Sequence, residues 1–200
     1  MSDFPDHPFW TFSTRHYSCG GVAAACLSLQ ERRGIDVNIL LFCIWAAIER
    51  NRRFSGQDMS RLAGAVEDWH GQVVRPLRAA RQRMKQGAEG LAESLVAKVR
   101  KRVIAAEIEC EHIEQLMLAA AAEQGRKGAR GSKGAPAGSA PGDLALANIA
   151  GYFRVLGFEG DDSDGADVAA ILAPLVPDMT GKAAARLLAG IGGKARAGTV

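Results

Sequence analysis

The feature that most restricts the fold of this chain is a long run of apolar residues at helical spacing. From Ala92 to Met117, apolar side chains recur at alternating intervals of four and three residues. A shorter run of the same kind extends from Val73 to Met84. This spacing places apolar residues on one side of an α-helix, whereas a β-strand would need a period of two. The sequence therefore predicts two long helices, and no segment shows convincing strand periodicity.

The connection between the two runs is short and rich in glycine, at Gly87–Gly90. A four-residue turn between two helices favours an antiparallel helical hairpin, over about residues 69–124. The intervals of four and three residues are those of a heptad repeat, so we expect coiled-coil packing in the hairpin. Pro76 lacks a backbone donor, which predicts a kink or a break in the first helix.

The remaining segments also have helical patterns, and the predicted fold class is all-α: a helical bundle with no significant sheet. The helix from Val37 is apolar on nearly all sides, which predicts a central position with Trp45 buried. Asp36 is its expected N-cap, and Gly34 is expected to end the preceding helix in a left-handed conformation. The helices predicted outside the hairpin are a short one after Pro8, then Val22–Arg33, Val37–Arg52, Met59–Val66, Leu144–Leu156, Val168–Leu175 and about Thr180–Leu188.

Composition divides the chain into four parts. Residues 1–124 are predicted to form the helical core with its hairpin. Residues 125–142 contain six glycines, two prolines and no large apolar side chain, which is typical of a flexible basic linker. Residues 143–190 are expected to form helices that pack on the core, and residues 191–200 a loose tail. We interpret the acidic segment 159–167 as a solvated turn that caps the helix after it.

Charge and composition restrict the classes of function. The chain has 25 basic and 22 acidic residues, a balance that by itself argues for neither nucleic acid nor a membrane surface. No apolar run approaches the roughly 18–20 residues needed to cross a bilayer. The first residues lack the basic start and apolar stretch of a signal peptide, so we expect a cytoplasmic protein. The four cysteines form no CxxC pair and are interpreted as reduced thiols.

No catalytic, cofactor-binding or metal-ligating residue is assigned from the sequence, and we expect no cofactor. Gly190–Lys194 is similar to a dinucleotide-binding fingerprint, but no strand precedes it. Asp162–Gly165 is similar to a calcium loop, but the ligand pattern fails at both ends. His16, Cys19 and Cys26 have no fourth metal ligand nearby. An enzyme stays open as an interpretation, because catalytic residues can meet in space without sharing a motif.

The charge distribution of the predicted hairpin is unusual. Between Arg75 and Arg102 there are nine basic and two acidic residues. Folding at the glycine turn is expected to bring basic residues of the two helices together, away from the acidic run Glu107–Glu114. This pattern is interpreted either as a solvated face or as a surface for an anionic partner. The candidate binding residues are Arg75, Arg78, Arg81, Arg83, Lys98, Arg100 and Arg102.

Two distinctive segments are Gly21–Trp45, which reads GVAAACLSLQERRGIDVNILLFCIW, and Trp69 followed by Val73–Arg78. They resemble an uncharacterised family of small bacterial helical proteins. The resemblance covers Phe9 to Met117 and departs from the family at Gly20, where a proline is usual. It implies a cytoplasmic bacterial protein with an all-α fold, and it transfers no activity, cofactor or catalytic residue.

Three functions fit these observations. The leading hypothesis is a non-enzymatic protein–protein interaction or adaptor protein, because of the hairpin and its segregated charge. Its partner is expected to be an acidic protein or a second copy of the chain, rather than nucleic acid. The alternative is a nucleic-acid-binding module that uses the basic hairpin residues, although no aromatic residues are interleaved with them. The third is a small-molecule enzyme with a site near His16 and His70, which a pocket with convergent polar groups would favour.

Overall fold

The computed structural model describes residues 4–128 and 138–189, and this part of the chain is α-helical without any β-strand. The predicted all-α fold is confirmed. Residues 129–137 and 190–200, which include half of the predicted linker and all of the predicted tail, lie outside the described residues. The helices are α1 (Pro8–Tyr17), α2 (Val22–Arg33), α3 (Val37–Ile48), α4 (Gly56–Trp69), α5 (Arg75–Arg83), α6 (Glu93–Gly128), α7 (Pro141–Val155), α8 (Asp162–Leu172) and α9 (Gly181–Ala189).

Helix α3 lies at the centre of the core, as its apolar composition predicted. Residues 38–47 of this helix are all buried, including Trp45. Phe9 of α1 packs edge-to-face on Phe42 of α3, with 5.0 Å between ring centroids. Helix α7 packs on α3 and α4, and α8 packs on α2. Helix α3 ends before the predicted Arg52, because the chain turns at Asn51, which has a φ of 46°.

Local caps determine several helix ends. Asp36 is the N-cap of α3 and accepts a hydrogen bond from the backbone two residues later, at 2.7 Å. Gly34 ends α2 with a φ of 66°, as predicted. Helix α7 begins at Pro141, three residues before the predicted start at Leu144. Pro141 occupies the first turn of α7, which suits a residue without a donor, and Asp143 follows it inside the helix.

Helix α4 joins α5 through a π-helical turn, His70–Val74. The N–H of Arg75 donates to the carbonyl of His70, five residues earlier. The interruption expected at Pro76 thus takes the form of a wider turn before it, and the helix continues to Arg83. A wider turn relieves the clash that a proline ring makes with the preceding turn of an α-helix.

Helix α6 is 36 residues long, about 54 Å, and only its later part enters the core. No residue from 75 to 106 is buried. We call residues 75–106 the arm. Several predicted heptad positions here, such as Leu77, Val96 and Val103, are partly buried, whereas Val99 is exposed. The first buried residue of α6 is Glu107. Arg78 and Arg81 of α5 pair with glutamates of α6, so charged side chains contribute to the contact between the two helices beside the partly buried apolar ones.

The acidic segment before α8 caps that helix as predicted, but it is not solvated throughout. Asp161 caps α8, and Asp164 is fully buried. Arg32 and Arg33 of α2 each approach the Asp164 carboxylate to 2.7 Å. Because these arginines lie far away along the chain, their pairing with Asp164 was invisible in the local pattern. Along the described part of the chain, no helix combines the length and the apolar character that a membrane span requires.

Candidate functional site

Two of the predicted basic residues turn towards the glutamates of α6. Arg78 contacts Glu107 at 3.2 Å and Glu111 at 2.7 Å, and Arg81 also pairs with Glu107. The expectation that basic residues of the hairpin face one another, away from the acidic run, is therefore wrong for these two. The loop between the helices extends through Ala92, and the long arginine side chains reach further along α6 than the predicted register allowed.

The other five predicted residues remain without an acidic partner. Within residues 4–128 and 138–189, none of them forms an ion pair. The Nε atom of Arg100 donates to the Arg81 carbonyl at 3.3 Å, so these two residues do meet. The five residues are Arg75, Arg83, Lys98, Arg100 and Arg102.

Apolar side chains lie exposed on the same arm. Leu95 and Val99, four residues apart on α6, are 56% and 47% exposed, and Leu91 in the loop just before α6 is 60% exposed. Residues three or four apart are neighbours on a helix surface, so Lys98 lies beside Leu95 and Arg102 beside Val99. The arm therefore presents an apolar stripe next to basic side chains.

A second candidate site lies where α6 passes the start of α3 and the end of α4. His70 Nδ1 is 2.9 Å from Glu114 Oε1 and 3.1 Å from Asp36 Oδ2. One ligand atom from each of the three residues lies within 4.8 Å of the other two. Asp36 and Glu114 are buried, and His70 is partly buried. We call these three residues the buried triad. One imidazole and two carboxylates form a donor set that can hold a divalent cation.

Hydrogen bonds from three helices hold the buried triad in place. Asn38 of α3 donates to Glu114 Oε2 at 2.8 Å, and Gln115 of α6 donates to Asn38 at 2.9 Å. The backbone N–H of Asp36 donates to the hydroxyl of Tyr152 in α7, at 2.9 Å. Together with the N-cap bond from the Asn38 backbone to Asp36 Oδ1, these contacts orient both carboxylates before any ligand binds.

The electrostatics of the buried triad favour a stored proton. Burial opposes the charged imidazole, but the neighbouring carboxyl groups of Asp36 and Glu114 raise the pKa of His70 to about 10. Burial raises the pKa of Glu114 to about 8. Burial also opposes ionisation of Asp36, but the charge of the neighbouring His70 lowers the pKa of this carboxyl. The His70 imidazole therefore lies between two carboxyls whose pKa values are shifted in opposite directions.

Two cavities reach the buried triad. A cavity of about 460 Å³ is bordered by α1, α2, α3, α5 and α6, and Asp36, Arg78 and Glu111 are among its lining residues. Another, of about 710 Å³, is lined by residues that include His70 and Arg75. Polar groups thus converge on an accessible space beside the triad, which is the condition that favours the third sequence hypothesis.

A comparison of the sequence with known families bears on these residues. Residues 8–118 match the family described as "Protein of unknown function (DUF2390)". The chain belongs to this family. The match extends from α1 into α6, so the DUF2390 region contains all of the buried triad and the arm, whereas α7, α8 and α9 follow it. This confirms the resemblance to an uncharacterised family over Phe9 to Met117. Neither a curated protein nor a solved structure matches the chain.

The buried triad of this DUF2390 protein was missed in the sequence, where its members had separate roles. Asp36 was identified only as a helix cap, and Glu114 only as part of an acidic run. His70 was named for a hypothetical enzyme site without any partner. The three residues come from three different helical segments and follow no spacing motif, so only the packing of α6 against α3 and α4 brings them together.

Proposed function

We propose that this protein is a non-enzymatic interaction protein whose arm binds an acidic amphipathic helix of another protein. One observation carries the proposal: Leu91, Leu95 and Val99 are exposed beside basic side chains that have no acidic partner among the described residues. Contiguous apolar residues on a surface, bordered by polar ones, commonly mark interaction sites.

The spacing and the charge of the arm define the partner. A stripe with intervals of four residues fits the apolar face of a second helix, and Lys98 and Arg102 would meet acids on its flank. A second copy of the chain would bring basic residues against basic residues across a two-fold axis. Residues 75–128 contain no Phe, Trp or Tyr on which nucleic-acid bases could stack. Exposed leucines also gain nothing from phosphate contacts.

Site-specific photo-crosslinking in the native cell tests this proposal. A photoreactive amino acid replaces Leu95 on the arm, and a matched control replaces Leu187 on α9, which is 42% exposed. We expect an adduct with one acidic protein at Leu95 and none at Leu187. With that protein purified, Leu95→Asp should weaken binding at least about tenfold. Lys98→Glu should weaken it too, and wild-type binding should fall as salt rises, because exposed charges are screened.

Three results would contradict the proposal. Equal adducts at both positions would mean that the arm is not a binding surface. A crosslinked dimer of the chain would make a second copy the occupant. Recovery of RNA or DNA at Leu95 would favour the nucleic-acid alternative instead.

A second candidate function rests on the cavity of about 460 Å³. Tyr17, Arg78, Glu111 and Asp36 all line it, which suits a small polar ligand. A thermal-shift screen of small polar compounds tests this candidate, with Ile108→Trp at the cavity wall as the variant that narrows the space. Compounds that stabilise the wild-type chain but not Ile108→Trp would support this candidate. The failure of every compound to stabilise the wild-type chain would count against it.

A further inference from the structure

The imidazole nitrogen of the buried triad is spaced from each carboxylate like a neighbouring ligand of one metal ion. For metal–ligand bonds near 2.1 Å, adjacent ligand atoms lie about 3.0 to 3.4 Å apart in octahedral or tetrahedral geometry. His70 Nδ1 lies 2.9 Å from Glu114 Oε1 and 3.1 Å from Asp36 Oδ2. Two carboxylates therefore converge on one nitrogen at the separation that a shared cation would give.

Hydrogen bonding alone leaves this arrangement incomplete. His70 Nδ1 carries at most one proton, and the closer oxygen of Glu114 accepts it. Asp36 is only 5% exposed, and its buried Oδ2 accepts no hydrogen bond from any residue that the structure describes. Burying a carboxylate oxygen without a partner costs free energy. The second observation is therefore a buried oxygen that points into the triad and lacks a donor.

We propose that Asp36, His70 and Glu114 bind a divalent transition-metal ion. The two carboxylates balance the charge of such an ion, and a nitrogen with two oxygens suits Zn²⁺, Mn²⁺, Fe²⁺ or Co²⁺. The other oxygen of each carboxylate accepts a hydrogen bond from Asn38. Asp36 Oδ1 accepts from the backbone N–H of Asn38, and Glu114 Oε2 accepts from the side-chain amide of Asn38. Such outer contacts orient metal ligands.

The surroundings of the buried triad provide access and open positions. Asp36 lines the cavity of about 460 Å³ and His70 lines the other, of about 710 Å³. Water in these cavities can complete the coordination of an ion that has three protein ligands. His70 also begins the π-helical turn, an irregularity that is frequent at functional sites. This inference does not depend on the partner proposed for the arm.

Titration of the full chain with Co²⁺ tests the site, after treatment with EDTA and removal of the chelator. Visible absorption of bound Co²⁺ should saturate at one ion per chain, and Zn²⁺ should displace it. His70→Gln and Glu114→Gln should each weaken binding more than about 100-fold, because even outer contacts contribute 10- to 100-fold. Glu109→Gln removes an exposed acid from the same helix and should leave binding unchanged. Circular dichroism checks that each variant is folded.

If the triad variants do not fold, an NMR measurement on the wild-type chain tests whether the buried triad binds a metal ion. Mn²⁺ broadens NMR signals of nearby nuclei, and the amides of Asn38, Gly71 and Gln115 should broaden first. Broadening centred on the acidic residues 161–167 would overturn the proposal. So would the absence of saturable binding, equal Co²⁺ affinity in Glu114→Gln, or a thiolate charge-transfer band from cysteine coordination. Each of these results would make the triad a structural ion pair only.

Discussion

Replacement of Arg78 tests whether this residue repels the other arginines of the hairpin, as the sequence predicted, or pairs with glutamates of α6, as in the structure. If the arginines of the hairpin repelled one another, removing one would leave stability unchanged or raise it. In the structure, Arg78 donates to Glu107, to Glu111 and to the side chain of Gln30 in α2. Arg78→Met keeps most of the apolar stem of the side chain and removes all of these contacts.

The expected loss of stability follows from the burial of the partners. Breaking a fully buried ion pair costs about 3–5 kcal/mol, because the remaining charge is left uncompensated. The side chains of Arg78 and Glu111 are 16% and 28% exposed, and Arg81 still pairs with Glu107. We therefore expect Arg78→Met to lower the free energy of unfolding by about 2–3 kcal/mol. For a chain of this length, that lowers Tm by roughly 5–10 °C.

Urea unfolding followed by circular dichroism measures this effect. Arg75→Met is the matched control, since Arg75 lies on the same helix, is exposed and has no ion pair with a described residue. It should change stability by less than about 0.5 kcal/mol. Equal stabilities of the two variants would refute the pairing, and a gain of stability in Arg78→Glu would favour the repulsion model.

Three further predictions concern the core and the contact between α2 and α8. Asp164→Asn should cost about 2–3 kcal/mol at pH 7, and Asp162→Asn, on an exposed acid, almost nothing. Burial opposes ionisation of Asp164, but hydrogen bonds from the arginines lower the pKa of this carboxyl. The difference in stability between Asp164→Asn and the wild type should therefore disappear as pH falls through that pKa. Trp45→Ala should cost about 3–5 kcal/mol in urea unfolding, and a smaller loss would contradict its burial. Cys43 should react with a thiol reagent only after unfolding, whereas the half-buried Cys19 should react in the native protein.

Local patterns predicted the elements of the fold well. Gly34 and Asp36 mark real helix ends, and the apolar surface of α3 predicted its central position. These predictions succeeded because capping and hydrophobic periodicity depend on residues close in sequence. The same argument succeeded for burial of Trp45.

Contacts between side chains that are far apart in the sequence could not be predicted from local patterns. The pairing of Arg78 with Glu107 depends on the register of α5 against α6. The loop between these helices is longer than the predicted four-residue turn, so the register differs from the one that the sequence predicted. The pairing of Asp164 with Arg33 joins residues 131 positions apart, and no spacing rule links them. The buried triad also depends on tertiary packing, because only packing brings His70 and Glu114 to the helix cap Asp36.

The π-helical turn couples the buried triad to the arm, and a deletion tests the coupling. Trp69 Nε1 donates to the Cys110 carbonyl at 2.9 Å just before the turn, and Arg78 reaches α6 just after it. A π-helical turn contains one residue more than α-helical geometry needs. Removing the exposed Gln72 should restore α-helical geometry and rotate one side of the helix against the other by about 100°. The contacts of Trp69 and Arg78 with α6 then cannot both persist.

The deletion of Gln72 should therefore keep the helix content and lose at least about 2–3 kcal/mol, as much as Arg78→Met. The substitution Gln72→Ala is the control, because it removes the same side chain and retains the extra residue. Urea unfolding and circular dichroism of the two variants give the comparison. If both were equally stable, the extra residue in the turn would have no part in placing His70 and the arm. A large difference with unchanged helix content would mean that both sites depend on one irregular turn, so that a ligand at the triad and a partner on the arm act on the same helix.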